Sequence, residues 1–265
     1  MPRVALGLSY VGQGYLGWQS QPGGNTIQDK LETALAAFCG LPKGGRVVTN
    51  CAGRTDAGVH GLMQVVHLDT PLQRDLSSWV RGTNSYLPAD IAVQWARAVP
   101  DEFHSRGSAI ARRYAYVLLE SIVRPSVEAG RVGWVHRPLL LSNMQLATQV
   151  LLGENDFSSF RASQCQALSP VKTMRRIEIS QRGAYWHFEF EASAFLHHMI
   201  RNIMGCLITI GQGKQPPEWM GQVLAARTRE AAAPTFSPDG LYFLGPVYEA
   251  KWGLPERTAA YDWLP

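Results

Sequence analysis

Along this chain the apolar positions switch between a period of two and a period near three and a half, and the switches predict where strands give way to helices. "RVALGLSY" alternates and predicts a strand near residues 3–10. In "NTIQDKLETALAAFCG", Ile27, Leu31, Leu35 and Phe38 fall on one face, Thr26 and Asp29 form a capping pattern, and Gly40 is a stop signal; the segment predicts a helix. "RVVTN" (46–50) and "GLMQVVHL" (61–68) predict two strands. A helix near 75–84 and a strand near 90–98 complete a first half.

The second half repeats that order. A strand is predicted near 109–119 and a helix near 142–152, followed by a hairpin of "VKTMRRIEIS" and "AYWHFEFEA" turning at Arg182-Gly183. Leu196, Met199, Ile203, Leu207 and Ile210 place a helix near 195–210, and a helix near 217–227 and a strand near 241–250 close the half. Each half thus reads β-α-β-β-α-β, the split βαβ order of ferredoxin-like and RNA-recognition folds. The expected class is α+β: two RNA-recognition-like halves sharing a mostly antiparallel sheet with helices on one face. The other face would be left for loops and a polynucleotide. The break falls near 101–109, giving an N-terminal half over 1–104 and a C-terminal half over 105–265, with no low-complexity linker between them.

Composition narrows the function classes. Of 265 residues, 46% are apolar and 17% charged, enough for a buried core and too apolar for general disorder. No apolar run reaches the roughly 18–20 residues that span a bilayer, and the first ten residues lack a signal-peptide pattern; no membrane contact and a cytoplasmic location are expected. Cys39, Cys51, Cys165 and Cys206 are far apart and form no CxxC pair, which argues against a zinc ribbon and a disulfide scaffold. Among the 7 histidines, His197 and His198 are the one adjacent pair, and neighbours on a helix diverge; neither a metal nor a cofactor is expected. The net charge is +4, and of the 25 basic residues 20 are Arg, which suits phosphate and base contact; a GC-rich genome would give the same bias.

Three stretches could carry chemistry. "CAGRTDAGVH" (51–60) joins two predicted strands and is longer than a hairpin turn requires. Arg54 and Asp56 lie two apart, on one side of an extended chain, where a guanidinium keeps a carboxylate ionised for use as nucleophile or base. The competing reading is an Asx-turn with a surface salt bridge. On the strand "AIARRYAYVLL", Arg112, Tyr114, Tyr116 and Leu118 share a face, fit either for base stacking and phosphate contact or for packing on the core. In "FLHHMIRNIMG", His197, Arg201 and Met204 share a helix face opposite the apolar stripe; Arg201 would need a carboxylate if buried, whereas a solvated face is the plainer reading.

The motifs, taken in order, resemble those of the pseudouridine synthases that modify tRNA, in particular the A family. The resemblance runs almost end to end through "GWQSQP…TIQDKLETAL", "GRTDAGVH", "FHSR…RRYAYVL", "GENDFSSF", "FLHHMIRNIMG" and "DGLYFLGPVY". It implies an isomerase that converts uridine to pseudouridine at positions 38–40 in the anticodon stem-loop of tRNA, acting as a homodimer on its tRNA partner. By the same resemblance Asp56 is the catalytic aspartate and Arg201 pairs with it. Arg54 braces the RNA as the base is extruded, and Tyr114 stacks on the flipped uracil. Arg112 belongs with the RNA-contacting residues. The chain departs from the family pattern at Val11, where Asp is usual, at Asn155, where His is frequent, and at Gly61, where Ala is common. Two other classes compete: an RNA-binding module without turnover, and a glycoside hydrolase, for which no second acid accompanies Asp56 locally.

Overall fold

The alternation in the first ten residues becomes β1 (Arg3–Tyr10) in the computed structural model, which describes residues 1–42 and 44–255. The chain divides into two units, residues 1–110 with those from Tyr242 on, and Ala111–Leu241. The first unit continues with α1 (Ile27–Phe38), β2 (Asn50–Cys51), β3 (His60–Asp69), α2 (Leu76–Asn84) and β4 (Ile91–Val99), the predicted order. β1 lies in the middle, antiparallel to both β3 and β4, with Leu6 opposite Val66 on one side and Ala96 on the other. With β2 antiparallel to β3, the spatial order is β4-β1-β3-β2.

Period two sorts β1 between two cores. Val4, Leu6, Leu8 and Tyr10 face α1 and α2, packing with Ile27, Leu31, Leu35, Phe38 and Trp79. Phe38 and Trp79 meet edge-on with ring centroids 5.0 Å apart. On the other face Ala5, Val65, Trp95 and Val99 gather Phe103 and Tyr248 into a smaller core. Gly7 is what admits Trp95, since a Cβ there would come within 2.2 Å of the indole. The face opposite the helices, expected to be free for loops and a polynucleotide, carries Phe103 and Tyr248 in this part of the unit.

β2 is much shorter than the strand predicted over 46–50, and one buried carboxylate explains it. Glu32 of α1 accepts from Arg46 Nε at 2.7 Å, from Thr49 N at 2.9 Å and from the Thr49 hydroxyl at 3.0 Å. The backbone N–H that would begin a ladder is given to a side chain instead.

In the second unit β5 (Ala109–Glu120) is antiparallel to β9 (Tyr185–Ala192) and parallel to the short β6 (Gly133–Val135). β9 forms the predicted hairpin with β8 (Val171–Arg182), turning through Gly183 at φ +59°, and β8 pairs on to β7 (Gly153–Asp156). The helix predicted over 142–152 is α3 (Leu141–Thr148) followed by a 3₁₀ turn at Gln149–Leu151. α4 (Met199–Gly211) and α5 (Trp219–Ala226) follow. The last strand, β10 (Leu241–Tyr248), was expected to close the second half. It pairs in parallel with β3 of the first unit, Tyr242 opposite His60 and Phe243 opposite Gly61. The class is α+β with mostly antiparallel strands.

α4 differs from its prediction in two ways. It begins at Met199 rather than near 195, because His198 adopts the left-handed conformation (φ +61°) and Met199 N bonds back to Leu196 O. His197 therefore does not share a helix face with Arg201 and Met204. Met204 is fully buried and so is Asn202, whose amide donates to Phe160 O at 2.8 Å and accepts from the Thr235 hydroxyl at 2.7 Å. The expected solvated face is absent because the segment 233–236 packs there: a Cβ on Gly205 would lie 2.2 Å from Pro234 O.

Candidate active site

The loop between β2 and β3 is held by hydrogen bonds along its backbone. At its start Ala52 N donates to Val65 O at 2.8 Å, and the fully buried Gln64 donates from Nε2 to Gly53 O at 2.6 Å. Thr55 is held twice: its carbonyl accepts from Trp18 N at 3.0 Å, and its hydroxyl lies 2.9 Å from that of Tyr10. At the far end Val59 N donates to Asp56 O at 3.1 Å while Gly58 has φ +80°, the hydrogen bond and the positive φ of a type II turn. The neighbouring segment 11–18 comes against this loop through glycines. A Cβ on Gly12 would lie 2.0 Å from Val59 O, and one on Gly17 2.6 Å from Thr55 O.

Within this frame Arg54 is exposed and Asp56 half-buried, one residue to either side of the buried Thr55. The carbonyls of Gly53, Thr55 and Asp56 around these two residues each accept a hydrogen bond. Burial pushes the Cys51 thiol up to about 11, with the charges of Arg54 and Arg106 pulling the other way. At neutral pH Cys51 stays a thiol.

The other sequence-predicted residues lie in the second unit. Tyr114 of β5 is buried, its ring edge-on to Phe195 at 5.1 Å. Arg112, two residues before it, is half-buried and donates from Nη1 to Ser193 O at 3.0 Å, just past the end of β9. Arg201, in the first turn of α4, donates from Nε to Phe236 O at 2.9 Å, and its own carbonyl accepts from Phe236 N at 3.1 Å. Its side chain is thus oriented by a backbone clamp on the 235–237 segment. Tyr116, placed on the same strand face as Tyr114, donates its hydroxyl to Ser237 O at 2.9 Å and is fully buried, so its role is in the core. The imidazoles of His197 and His198 lie 4.0 Å apart by centroid, so the divergence expected of helical neighbours does not hold for this pair.

Sequence reasoning passed over Tyr10, Thr55, Gln64 and Phe195. Tyr10 ends an apolar strand and Gln64 sits inside one, so both read as core positions. The available signal was a phenol and an amide in positions where a purely apolar core needs neither. Of the three departures from the family pattern, two have a visible local role. Asn155 donates from Nδ2 to Leu152 O at 3.1 Å and Leu151 O at 3.3 Å, closing the 3₁₀ turn. Gly61 leaves room for the Tyr10 ring, which a Cβ there would approach to 2.5 Å. No helix among the described residues is long and apolar enough to cross a membrane.

A family model described as tRNA pseudouridine synthase matches residues 8–106 and 147–249. The matched segments contain Arg54, Asp56 and Arg201; Arg112 and Tyr114 fall between them. The chain is 73% identical over 267 residues to the tRNA pseudouridine synthase A of Polaromonas naphthalenivorans (strain CJ2), covering 99% of this chain and 100% of that protein. It is 72% identical to the protein of that name from Polaromonas sp. (strain JS666 / ATCC BAA-500), and 67% identical over 281 residues to that from Paracidovorax citrulli (strain AAC00-1), at the same coverage. Likeness to a solved archaeal box H/ACA Nop10–Cbf5 complex is weak, with a TM-score of 0.36 and 11% identity over 86% of this chain and 60% of that one.

Proposed function

Because the chain belongs to the tRNA pseudouridine synthase family, we propose that it converts uridine to pseudouridine in the anticodon stem-loop of tRNA, at positions 38–40, with Asp56 as the catalytic group. The observation that carries the assignment to Asp56 is the backbone-fixed loop: a half-buried carboxylate on a turn whose neighbours on both sides are hydrogen-bonded in place. A reacting group held this way loses little freedom when the substrate arrives.

The chemistry follows from the atoms. The target uridine leaves the stack at a cost of a few kcal/mol. The N1–C1′ bond then breaks, the base turns, and a C5–C1′ bond forms, with the C5 proton passing to N1 or solvent. No electron is gained or lost overall. An ionised carboxylate serves either by attacking C1′ or by taking the C2′ proton, and both routes start from the same position of Asp56. Arg54, exposed beside it, is proposed to brace the RNA where the base has left. Tyr114 is proposed to stack on the flipped uracil and Arg112 to meet the RNA backbone. The same reading gives Arg201 the task of holding the catalytic carboxylate ionised. A homodimer and a cytoplasmic location belong to this proposal as well.

The test is to map pseudouridine in tRNA incubated with wild-type protein and with Asp56→Ala. Wild type is expected to modify the anticodon stem-loop, and the variant to be slower by more than about a thousandfold while its tRNA affinity stays within a few-fold. Retained modification by the variant removes Asp56 from the chemistry. Absence of new pseudouridine with wild type on suitable tRNAs removes the activity.

A further inference from the structure

Tyr10 and Thr55 meet through two hydroxyl groups inside the first unit, 2.9 Å apart, with Tyr10 4% and Thr55 6% exposed. Nothing about packing requires this. Phenylalanine fills the Tyr10 space, and burying a hydroxyl is unfavourable unless it finds a partner. The partner it finds is the side chain of the residue directly before Asp56. The site is also shaped for the ring: Tyr10 lies opposite Gly61 in the β1–β3 pairing, and a Cβ at Gly61 would come to 2.5 Å from the ring and 2.9 Å from the hydroxyl itself. The main chain of Thr55 is held from another direction by Trp18 N. Thr55 is thus fixed by side chain and carbonyl together, and the turn that begins at Asp56 starts from a fixed point.

We propose that Tyr10 is a positioning residue for the isomerisation, acting through the Thr55 hydroxyl to set the backbone that presents Asp56. This rests on the assignment of Asp56 as the catalytic group. Tyr10 touches neither substrate nor reacting atoms; its contribution is the orientation of a carboxylate on the residue next to the one it bonds. Burial raises the phenol well above its ordinary value, against the opposing effect of its bond to Thr55, so the hydroxyl stays protonated throughout the working pH range. An error of about 1 Å at a reacting group costs on the order of a hundredfold in rate, which sets the scale of what such a contact protects.

The experiment compares wild type with Tyr10→Phe, Thr55→Val, the double variant, Thr55→Ser and Asp56→Ala, full chain in each case. Single-turnover pseudouridine formation with enzyme in saturating excess over tRNA, tRNA affinity and the thermal midpoint are measured. Tyr10→Phe and Thr55→Val are each expected to lower the single-turnover rate by about ten- to a hundredfold, with tRNA affinity within twofold of wild type. The double variant should be no slower than the slower single, because both remove one contact. Thr55→Ser, which keeps the hydroxyl, should stay within a few-fold of wild type. A wild-type rate for Tyr10→Phe beside an inactive Asp56→Ala overturns the positioning role alone. So does a rate loss that adds fully to that of Thr55→Val, or a loss confined to tRNA affinity or thermal midpoint. Turnover by Asp56→Ala overturns the Asp56 assignment and the positioning role with it.

Discussion

His67 on β3 makes the stability of the first unit depend on pH in a direction that can be worked out from its surroundings. The ring is 2% exposed, and Nδ1 accepts the Ser105 backbone N–H at 3.1 Å. The Ser105 hydroxyl lies 3.0 Å from the same nitrogen and donates to Asn50 O at 2.7 Å, while Tyr248 donates to Ser105 O at 2.6 Å. With the Nδ1 lone pair committed, the neutral ring carries its proton on Nε2. Protonating Nδ1 would point two N–H donors at each other in a buried setting. Burial, then the charges of His104 and Arg3, pull His67 down to about 4, with Asp69 opposing. The unfolded chain, with an ordinary value near 6.5, takes the proton first. The contribution of His67 is therefore fully present above about pH 6.5 and is lost as pH falls toward 4. At 1.36 kcal/mol per pH unit the interval amounts to about 3 kcal/mol. Urea unfolding of wild type and His67→Gln at a series of pH values from 7.5 to 4 measures it, because a glutamine carbonyl can accept the Ser105 N–H without titrating. Wild type should lose about 3 kcal/mol more than the variant over that range. Parallel stability curves would refute the reasoning.

Two further substitutions test the frame around the site. Thr26 caps α1, accepting from Asp29 N at 3.2 Å while its hydroxyl donates to Asp29 Oδ2 at 2.5 Å, so Thr26→Ala should lower unfolding free energy by about 1–2 kcal/mol; an unchanged denaturation midpoint contradicts the cap. Gly205→Ala places a methyl 2.2 Å from Pro234 O and should cost about 1–3 kcal/mol, read as a lower thermal midpoint; a variant as stable as wild type would show that the 233–236 segment shifts freely.

Much of the fold was legible where burial is one-sided. β1 and α1 were legible because alternate residues of the strand and one stripe of the helix face a common core, the condition that periodicity detects. Legibility failed where a side chain took over the work of a backbone partner. Glu32 removed the N–H of Thr49 from a ladder, and a left-handed His198 delayed α4 by about a turn. β10 was recognised as a strand, but its pairing with β3 was not, because a pairing between residues 60 and 242 leaves no mark on local pattern. At the site, Arg54 and Asp56 stood out as charges too densely placed for a turn. Thr55 between them and Tyr10 at the end of β1 did not, since a hydroxyl contact across 45 residues has no period.

The parallel pairing of β10 with β3 also sets an order on the birth of the protein. The second unit is continuous in sequence and is complete once Leu241 has been synthesised. The first is discontinuous: its strand beside His60 is made only after the second unit, and with it come Tyr242, stacked on His60 at 4.6 Å, and Tyr248, bonded to Ser105. Domains emerging from the ribosome fold in the order they become complete. Residues 1–110 are thus translated before the second unit but finished after it, and the strand flanking the Asp56 loop waits for its partner until the second unit has been made.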